Sequence, residues 1–207
     1  MLVCGVDEAG RGSMLGPLVV AAISIEKSKL NTLTDMGVKD SKKLSPKARE
    51  ALYKKIIRLV DGYAISKASP KQIDSAVSRH NLNHLEAFHM EKVIKKLQPE
   101  ISYVDSCDVN ETRFGKELAK LCKTGKIKSY HHADAKFVVV SAASIIAKVT
   151  RDRAIARLAE IHSVGSGYPS DPRTVQFVRE WFLQNSQMPP FVRKSWAPVK
   201  LIAAQLA

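Results

Sequence analysis

The stretch "VDEAGRGSMLGPLVV" (residues 6–20) closes a short apolar run with two adjacent carboxylates, Asp7 and Glu8, and turns at once through Gly10 and Gly12. Adjacent carboxylates repel each other and are costly to take out of water, so a chain that keeps them at a strand end is using them or leaving both solvated. Two more acids, Asp105 in "ISYVD" (101–105) and Asp134 in "KIKSYHHAD" (126–134), also end runs that read as strands. Sheet neighbours bring such ends together, and four converging carboxylates make the oxygen-rich site that hard cations such as Mg²⁺ and Mn²⁺ prefer. A pair of such ions organises phosphodiester hydrolysis. One objection is geometric: consecutive strand residues face opposite sides. Asp7 and Glu8 share a pocket only if the strand ends at Glu8 and the chain peels away through Ala9-Gly10. The bland reading, solvated loop acids, is the better one for any single acid and the poorer one for all four in a basic chain.

The elements that would position these acids follow from periodicity. "MLVCGV" and "PLVVAAISI" (17–25) read as buried strands, with the glycine-rich stretch as the turn between them. "SPKAREALYKKIIRLV" (45–60) reads as an amphipathic helix with Ser45 as N-cap and Pro46 at its first position. "GYAISKA" (62–68) is a third strand, and 81–98 a helix with Leu85, Phe88 and Leu97 on its packed stripe. "ETRFGKELAKLCKTG" is a short helix stopped by Gly125, and 126–134 a fifth strand. A long helix runs from about Val138 to Ile161, and two further helical stretches cover 173–184 and 197–206. The order predicts an α/β chain with a mixed sheet covered by helices.

The chain has 207 residues, with 33 Lys and Arg against 20 Asp and Glu, a formal charge of +13. That excess points to a polyanionic partner, nucleic acid first. Three cysteines, Cys4, Cys107 and Cys122, form neither a disulfide framework nor a paired zinc spacing, so a reduced, cytoplasmic setting is expected. No signal peptide and no membrane-length apolar run is seen. Gly10, Gly12 and Gly16 superficially suggest a dinucleotide loop, but a strand rather than a helix follows. Lys39, Ser41, Lys42 and Lys43 lie ahead of a helix, where amides and ammonium groups can hold a phosphate; Lys148 and Arg151 are further backbone-contact candidates. His80, His84 and His89 read as surface or capping histidines, Cys107 as a small buried hydrophobe, and Trp181 and Trp196 as packing for the C-terminal helices, with the basic and aromatic "VRKSW" (192–196) a further candidate for duplex contact.

These residues resemble the ribonuclease HII (type 2 ribonuclease H) family in its archaeal single-chain form. The matching motifs are "DEAGRG" (7–12), "DSKKLS" (40–45), "YVDS" (103–106), "HHADAK" (131–136), "SAASIIAKVTRDR" (141–153) and "GSGYPSDP" (165–172), in family order. The resemblance implies a ribonuclease H-like fold, a five-stranded mixed sheet flanked by helices, with a catalytic domain over 1–165 and a C-terminal helical extension over 166–207. It implies Mg²⁺- or Mn²⁺-dependent endonucleolytic hydrolysis of RNA in RNA/DNA hybrids, and cleavage at ribonucleotides embedded in duplex DNA. It assigns the acid quartet to Asp7, Glu8, Asp105 and Asp134, the ribose 2′-hydroxyl reader to Gly10-Arg11-Gly12, and a sugar-packing tyrosine to Tyr168. Residues without Cβ let the backbone approach a sugar closely, and a 2′-hydroxyl both donates and accepts.

Two rivals differ in kind. A non-catalytic nucleic-acid binder needs only the basic charge, and another nuclease of the same fold shares the acids but not the sugar reader. A metal-free mechanism through the 2′-hydroxyl would draw on His131 and His132 as acid and base. A monomer is expected, and the end "LIAAQLA" holds no clear sliding-clamp peptide.

Overall fold

The computed structural model describes residues 1–38 and 44–206. Lys39, Ser41, Lys42 and Lys43, the expected phosphate contacts ahead of the second helix, lie outside the described residues. In chain order the elements are β1 (Leu2–Ala9), β2 (Leu18–Glu26), α1 (Leu30–Asp35), α2 (Pro46–Leu59), β3 (Gly62–Ala68), α3 (Pro70–Ser78) and α4 (Leu82–Leu97). Then come β4 (Ile101–Asp105), α5 (Glu111–Cys122), β5 (Lys126–Tyr130), α6 (Ala133–Lys136), α7 (Val138–Ala159), α8 (Pro172–Asn185) and α9 (Ala197–Leu206).

The strands form one five-stranded sheet in the order β3-β2-β1-β4-β5. β1 runs antiparallel to β2 and parallel to β4, and β4 runs parallel to β5, so the expected mixed sheet is present. Packing divides the chain into two compact units. The first comprises Met1–Ala9, Val19–Ser66 and Glu86–Val149; the second comprises Gly10–Leu18, Lys67–Leu85 and Thr150–Ala207. Residues 166–207 thus share their unit with two earlier segments that the sequence alone did not group with them.

In the first unit the sheet is buried on both faces, which explains why β1 and β2 read as continuous apolar runs rather than alternating ones. Val3, Ala9, Val19, Ala21, Ile23 and Ile25 pack with Val139, Val140, Ala142, Ile145, Ile146 and Val149 of α7. On the opposite face Cys4, Val6, Val20 and Ala22 pack with α4 (Met90, Val93, Ile94) and α5 (Phe114, Leu118, Cys122). Gly5 is required here, since a Cβ would fall 2.2 Å from the Val139 carbonyl oxygen. The packed stripe of α4 holds Ala87, Met90, Val93 and Ile94; the expected Phe88 is 41% exposed. His89 is buried, its Nδ1 2.7 Å from Ser66 Oγ, rather than at the surface. In the second unit Met14, Leu15, Ile155, Val164, Phe177, Val178 and Val192 form the core, and Trp181 and Trp196 pack against it.

Local chemistry sets the ends. Ser45 accepts the Ala48 N–H at 3.2 Å with Pro46 first in α2, and Asn110 accepts the Arg113 N–H at 2.9 Å to start α5. Helix α5 ends on Lys123, which is left-handed (φ 52°), not on Gly125 as expected. Gly125 is needed just beyond, where a Cβ would meet the Pro99 carbonyl oxygen at 2.3 Å. Among the described residues no helix is long and apolar enough to cross a membrane.

Candidate metal-binding active site

β1 does not end at Glu8. It continues to Ala9, with Asp7 opposite Ala21 and Glu8 opposite Val20, so the expected peeling of the chain at Glu8 is absent. The alternation of the strand therefore stands: Asp7 belongs to the row of Val3 and Ala9, and Glu8 to that of Cys4 and Val6. Neither acid is a solvated loop residue. Asp7 is 5% exposed, and Glu8 Oε2 is shut off from water.

The parallel register carries β1 toward the second acid. Val6 pairs with Val104, so Asp7 and Asp105 come next on adjacent strands. Asp134, expected at a strand end, instead lies in α6: β5 stops at Tyr130, and a turn through His131 and His132 leads into the short helix. Its carboxyl is buried (8% exposed). The N–H of Ala133, the residue before it, donates to Asp105 Oδ1 at 2.7 Å, which ties the two acid-bearing segments together.

The electrostatics follow from this crowding. The Asp7 carboxyl is pushed up to about 7, first by burial and then by the charges of Asp105 and Asp134; hydrogen bonds from the Ser144 hydroxyl and the Glu8 N–H oppose the rise. The Glu8 N–H lies 2.7 Å from Asp7 Oδ1. Among the described residues no three acid, histidine or cysteine side chains stand as a preassembled metal cage. The chemistry of the donor set nonetheless fits a hard divalent cation. Burial and the charges of Asp105 and Asp134 raise the proton affinity of Asp7, and a cation would reverse that penalty. Ser144 is a site residue that sequence reasoning missed, although it sits inside the quoted stretch "SAASIIAKVTRDR".

The second unit holds Gly10, Arg11, Gly12, Arg151 and Tyr168, organised by two arginines. Gly10 is left-handed (φ 86°), and a Cβ there would meet the Pro17 carbonyl oxygen at 3.0 Å and Arg151 Cγ at 3.3 Å. At Gly12 a Cβ would have nothing within 4 Å, so the space beside it is open to a ligand. Arg151, expected as a phosphate contact, is 4% exposed and spends its guanidinium internally. Its Nη2 donates to Ser13 Oγ at 2.8 Å and to the Ser166 carbonyl at 2.6 Å, and its Cζ lies 4.2 Å from the Tyr168 ring centre. The Gly167 carbonyl accepts from the Met14 N–H at 2.8 Å and from Ser13 Oγ at 2.8 Å. The two glycine loops, 10–16 and 165–168, are thereby bonded to each other.

A residue of the stretch "VRKSW", a candidate duplex contact in the sequence, completes this unit from inside. Arg193, fully buried, donates from Nε to the Gly16 carbonyl at 3.1 Å and from Nη1 to the Arg11 carbonyl at 3.0 Å. The Arg11 guanidinium is held by Asn83 Oδ1 at 2.6 Å. The signal for Arg193 was present in "VRKSW", where an arginine follows an apolar pair, but nothing in the sequence marks it as buried. Lys148, half-buried on α7, lies in the first unit.

Comparison with known proteins matches the Ribonuclease HII family model over residues 4–199. A curated Ribonuclease HII of Cenarchaeum symbiosum (strain A) is 56% identical over 205 residues, covering 99% of both chains. Among solved structures, ribonuclease H2 from Pyrococcus horikoshii OT3 superposes with a TM-score of 0.93 at 43% identity, covering 100% of this chain and 99% of that one. The RNase HII of a PCNA:RNase HII complex from Archaeoglobus fulgidus gives 0.88 at 40% identity, covering 95% of each.

Proposed function

Because this chain belongs to the ribonuclease HII family, and so is an endoribonuclease of the RNA strand in RNA/DNA hybrids, we propose that it also cleaves at single ribonucleotides embedded in duplex DNA, with Asp7, Asp105 and Asp134 holding two Mg²⁺ or Mn²⁺ ions and Glu8, which leaves β1 on the opposite row, joining them as fourth ligand only by turning around the strand end. The observation that carries this reading is the raised proton affinity of Asp7, caused by burial and by two acids from distant parts of the sequence. Bound divalent cations would supply Lewis acidity and an activated water at neutral pH, and hydrolysis by that water would leave 3′-hydroxyl and 5′-phosphate ends.

The chain's own residues do the rest. Asp7 would hold the cation as a carboxylate, which the Ser144 hydroxyl orients. The Gly10-Arg11-Gly12 backbone reads the ribose, with Arg193 fixing the Arg11 carbonyl and Asn83 its guanidinium. Tyr168, stacked on Arg151, presents its ring to the neighbouring sugar. Lys39, Ser41, Lys42, Lys43 and Lys148 contact backbone phosphates, and residues 166–207 extend the substrate surface. Arg151 serves this surface through Tyr168 and Ser13 rather than by touching a phosphate. The reduced cytoplasm is the proposed compartment, replication and repair the setting, and a sliding clamp the candidate partner, as in the Archaeoglobus complex.

The test is a duplex with one ribonucleotide beside an all-DNA duplex, each with Mg²⁺, Mn²⁺ or EDTA, followed by end-group analysis. Cleavage confined to the ribonucleotide duplex, lost in EDTA and leaving a 5′-phosphate, is expected. A 2′,3′-cyclic phosphate formed undiminished in EDTA would overturn the mechanism, and equal cleavage of both duplexes would remove the ribose-reading role of Gly10-Arg11-Gly12.

A further inference from the structure

Asp134 rides on a helix of four residues, too short to hold its own geometry. Its position depends on the turn that precedes it. His132, at the head of that turn, has φ 55° and ψ 42°, the left-handed region that side-chain-bearing residues seldom adopt. Such a conformation persists only when its surroundings hold it.

The peptide N–H groups of the residues on either side of His132 are each held by a carboxylate. The Ala133 N–H donates to Asp105 Oδ1 at 2.7 Å, and the His131 N–H donates to Glu111 Oε2 at 2.6 Å. Asp105 belongs to the acid quartet; Glu111 does not. Glu111 is the first residue of α5, and that helix start is anchored independently of the turn. Asn110 caps it, and Arg113 grips buried Asp108 with Nη2 at 2.6 and 2.8 Å from the two carboxylate oxygens. A fixed carboxylate on a rigid element thus reaches across to the amide that sets the entry of the 131–134 turn.

We infer that Glu111 is a positioning residue for Asp134: its hydrogen bond to the His131 N–H keeps the turn in the conformation that presents the Asp134 carboxylate to a divalent cation. This rests on the reading of the acids as a metal site. A residue that orients a metal ligand typically costs 10- to 100-fold in metal affinity when removed. Glutamine at 111 keeps a carbonyl oxygen able to accept the same bond, whereas alanine removes it.

The experiment uses the full chain as wild type, Glu111→Ala and Glu111→Gln. Amide hydrogen exchange of the 131–135 backbone is measured without metal, Mn²⁺ binding by calorimetry, and cleavage at saturating Mn²⁺. For Glu111→Ala, the 131 and 133 amides should exchange about 10-fold faster and Mn²⁺ should bind about 10-fold more weakly, while saturating Mn²⁺ recovers most of kcat. Glu111→Gln should restore both readouts to within about 3-fold of wild type. Should Glu111→Ala fail to fold, Glu111→Asp, which withdraws the acceptor by one methylene and keeps the charge, carries the same expectation. Unchanged exchange in the variant overturns the inference, as does faster exchange with unchanged Mn²⁺ binding. A wild-type protein that takes up no Mn²⁺ overturns the metal reading itself, and the exchange measurement alone then decides whether Glu111 holds the turn.

Discussion

The acid cluster of the first unit and the glycine loops of the second are both polar and both largely withdrawn from water, yet they are compensated in opposite ways. Around Asp7 burial, and after it the like charges of Asp105 and Asp134, push the carboxyl up to about 7. Around Gly10–Gly16 the charges are cationic, and two buried guanidiniums, Arg151 and Arg193, satisfy loop oxygens one by one. One region is left under-neutralised and gains from a ligand of opposite charge; in the other the protein's own guanidiniums already pair the loop oxygens and hold the loops together. On the proposed reading, the reaction centre is kept electrostatically unfinished while the surface that reads the substrate is set before substrate arrives.

The widest separation between the two regions should come from Asp7→Asn. Cleavage should fall by about 10³-fold or more, because several kcal/mol of charge stabilisation at the phosphate disappears with the ligand. Folding stability without metal should rise at pH 8. An aspartate whose folded proton affinity lies near pH 7, against about 3.9 unfolded, makes the native state bind the extra proton. Stability therefore declines as pH climbs from about 4 to about 7 and stays low above that, a cost of a few kcal/mol that asparagine lacks. Denaturant titrations of both proteins at pH 5 and pH 8 check the sign: a variant less stable than wild type at pH 8 sinks the picture of a strained cluster.

Arg193→Ala should behave in the reverse sense. The buried Gly16 carbonyl and the half-buried Arg11 carbonyl lose their donors, and the loss of about 3 kcal/mol should lower the melting temperature by roughly 6–12 °C for a chain of this size. The change should be nearly the same at pH 5 and pH 8, since guanidinium does not titrate there. A pH-dependent loss would mean that the second region is electrostatically unfinished too.

How much of this contrast was legible beforehand differs by residue. The mixed sheet, its apolar strands, the Ser45-Pro46 helix start and the acids of Asp7 and Asp105 at neighbouring strand ends were readable because periodicity and residue type act locally. Asp134 on a helix was not, because "YHHAD" carries a left-handed histidine, a conformation fixed by Glu111 and Asp105 from distant segments. The fate of Arg151 was misread for a related reason. An arginine in a basic chain looks like a phosphate ligand, and only the burial of its neighbours shows that its donors are taken. Glu8 was expected where the strand ends, but backbone pairing with Val20 outlasts the chemistry of the side chain.

A smaller effect is expected from Arg151→Lys. Lysine keeps the charge but loses the planar fork that reaches Ser13 and Ser166 together and stacks on Tyr168. About 1–2 kcal/mol of loop ordering should be lost, seen as a roughly 10-fold drop in kcat/KM on the single-ribonucleotide duplex. The Mn²⁺ isotherm should not move, which separates this region from the acids. A tenfold weaker metal affinity in this variant would mean that the two regions do not work as distinct devices.

The smallest change should come from Tyr168→Phe. The Arg151 guanidinium lies 4.2 Å from the ring centre, so the face of the ring is what the arginine holds, and phenylalanine offers the same kind of face. Cleavage of the single-ribonucleotide duplex should stay within about 2-fold of wild type, while Tyr168→Ala, which removes the ring and its stack, should fall about as far as Arg151→Lys. Finding phenylalanine as damaging as alanine would assign the role of Tyr168 to its hydroxyl and detach it from the arginine that the fold places against it.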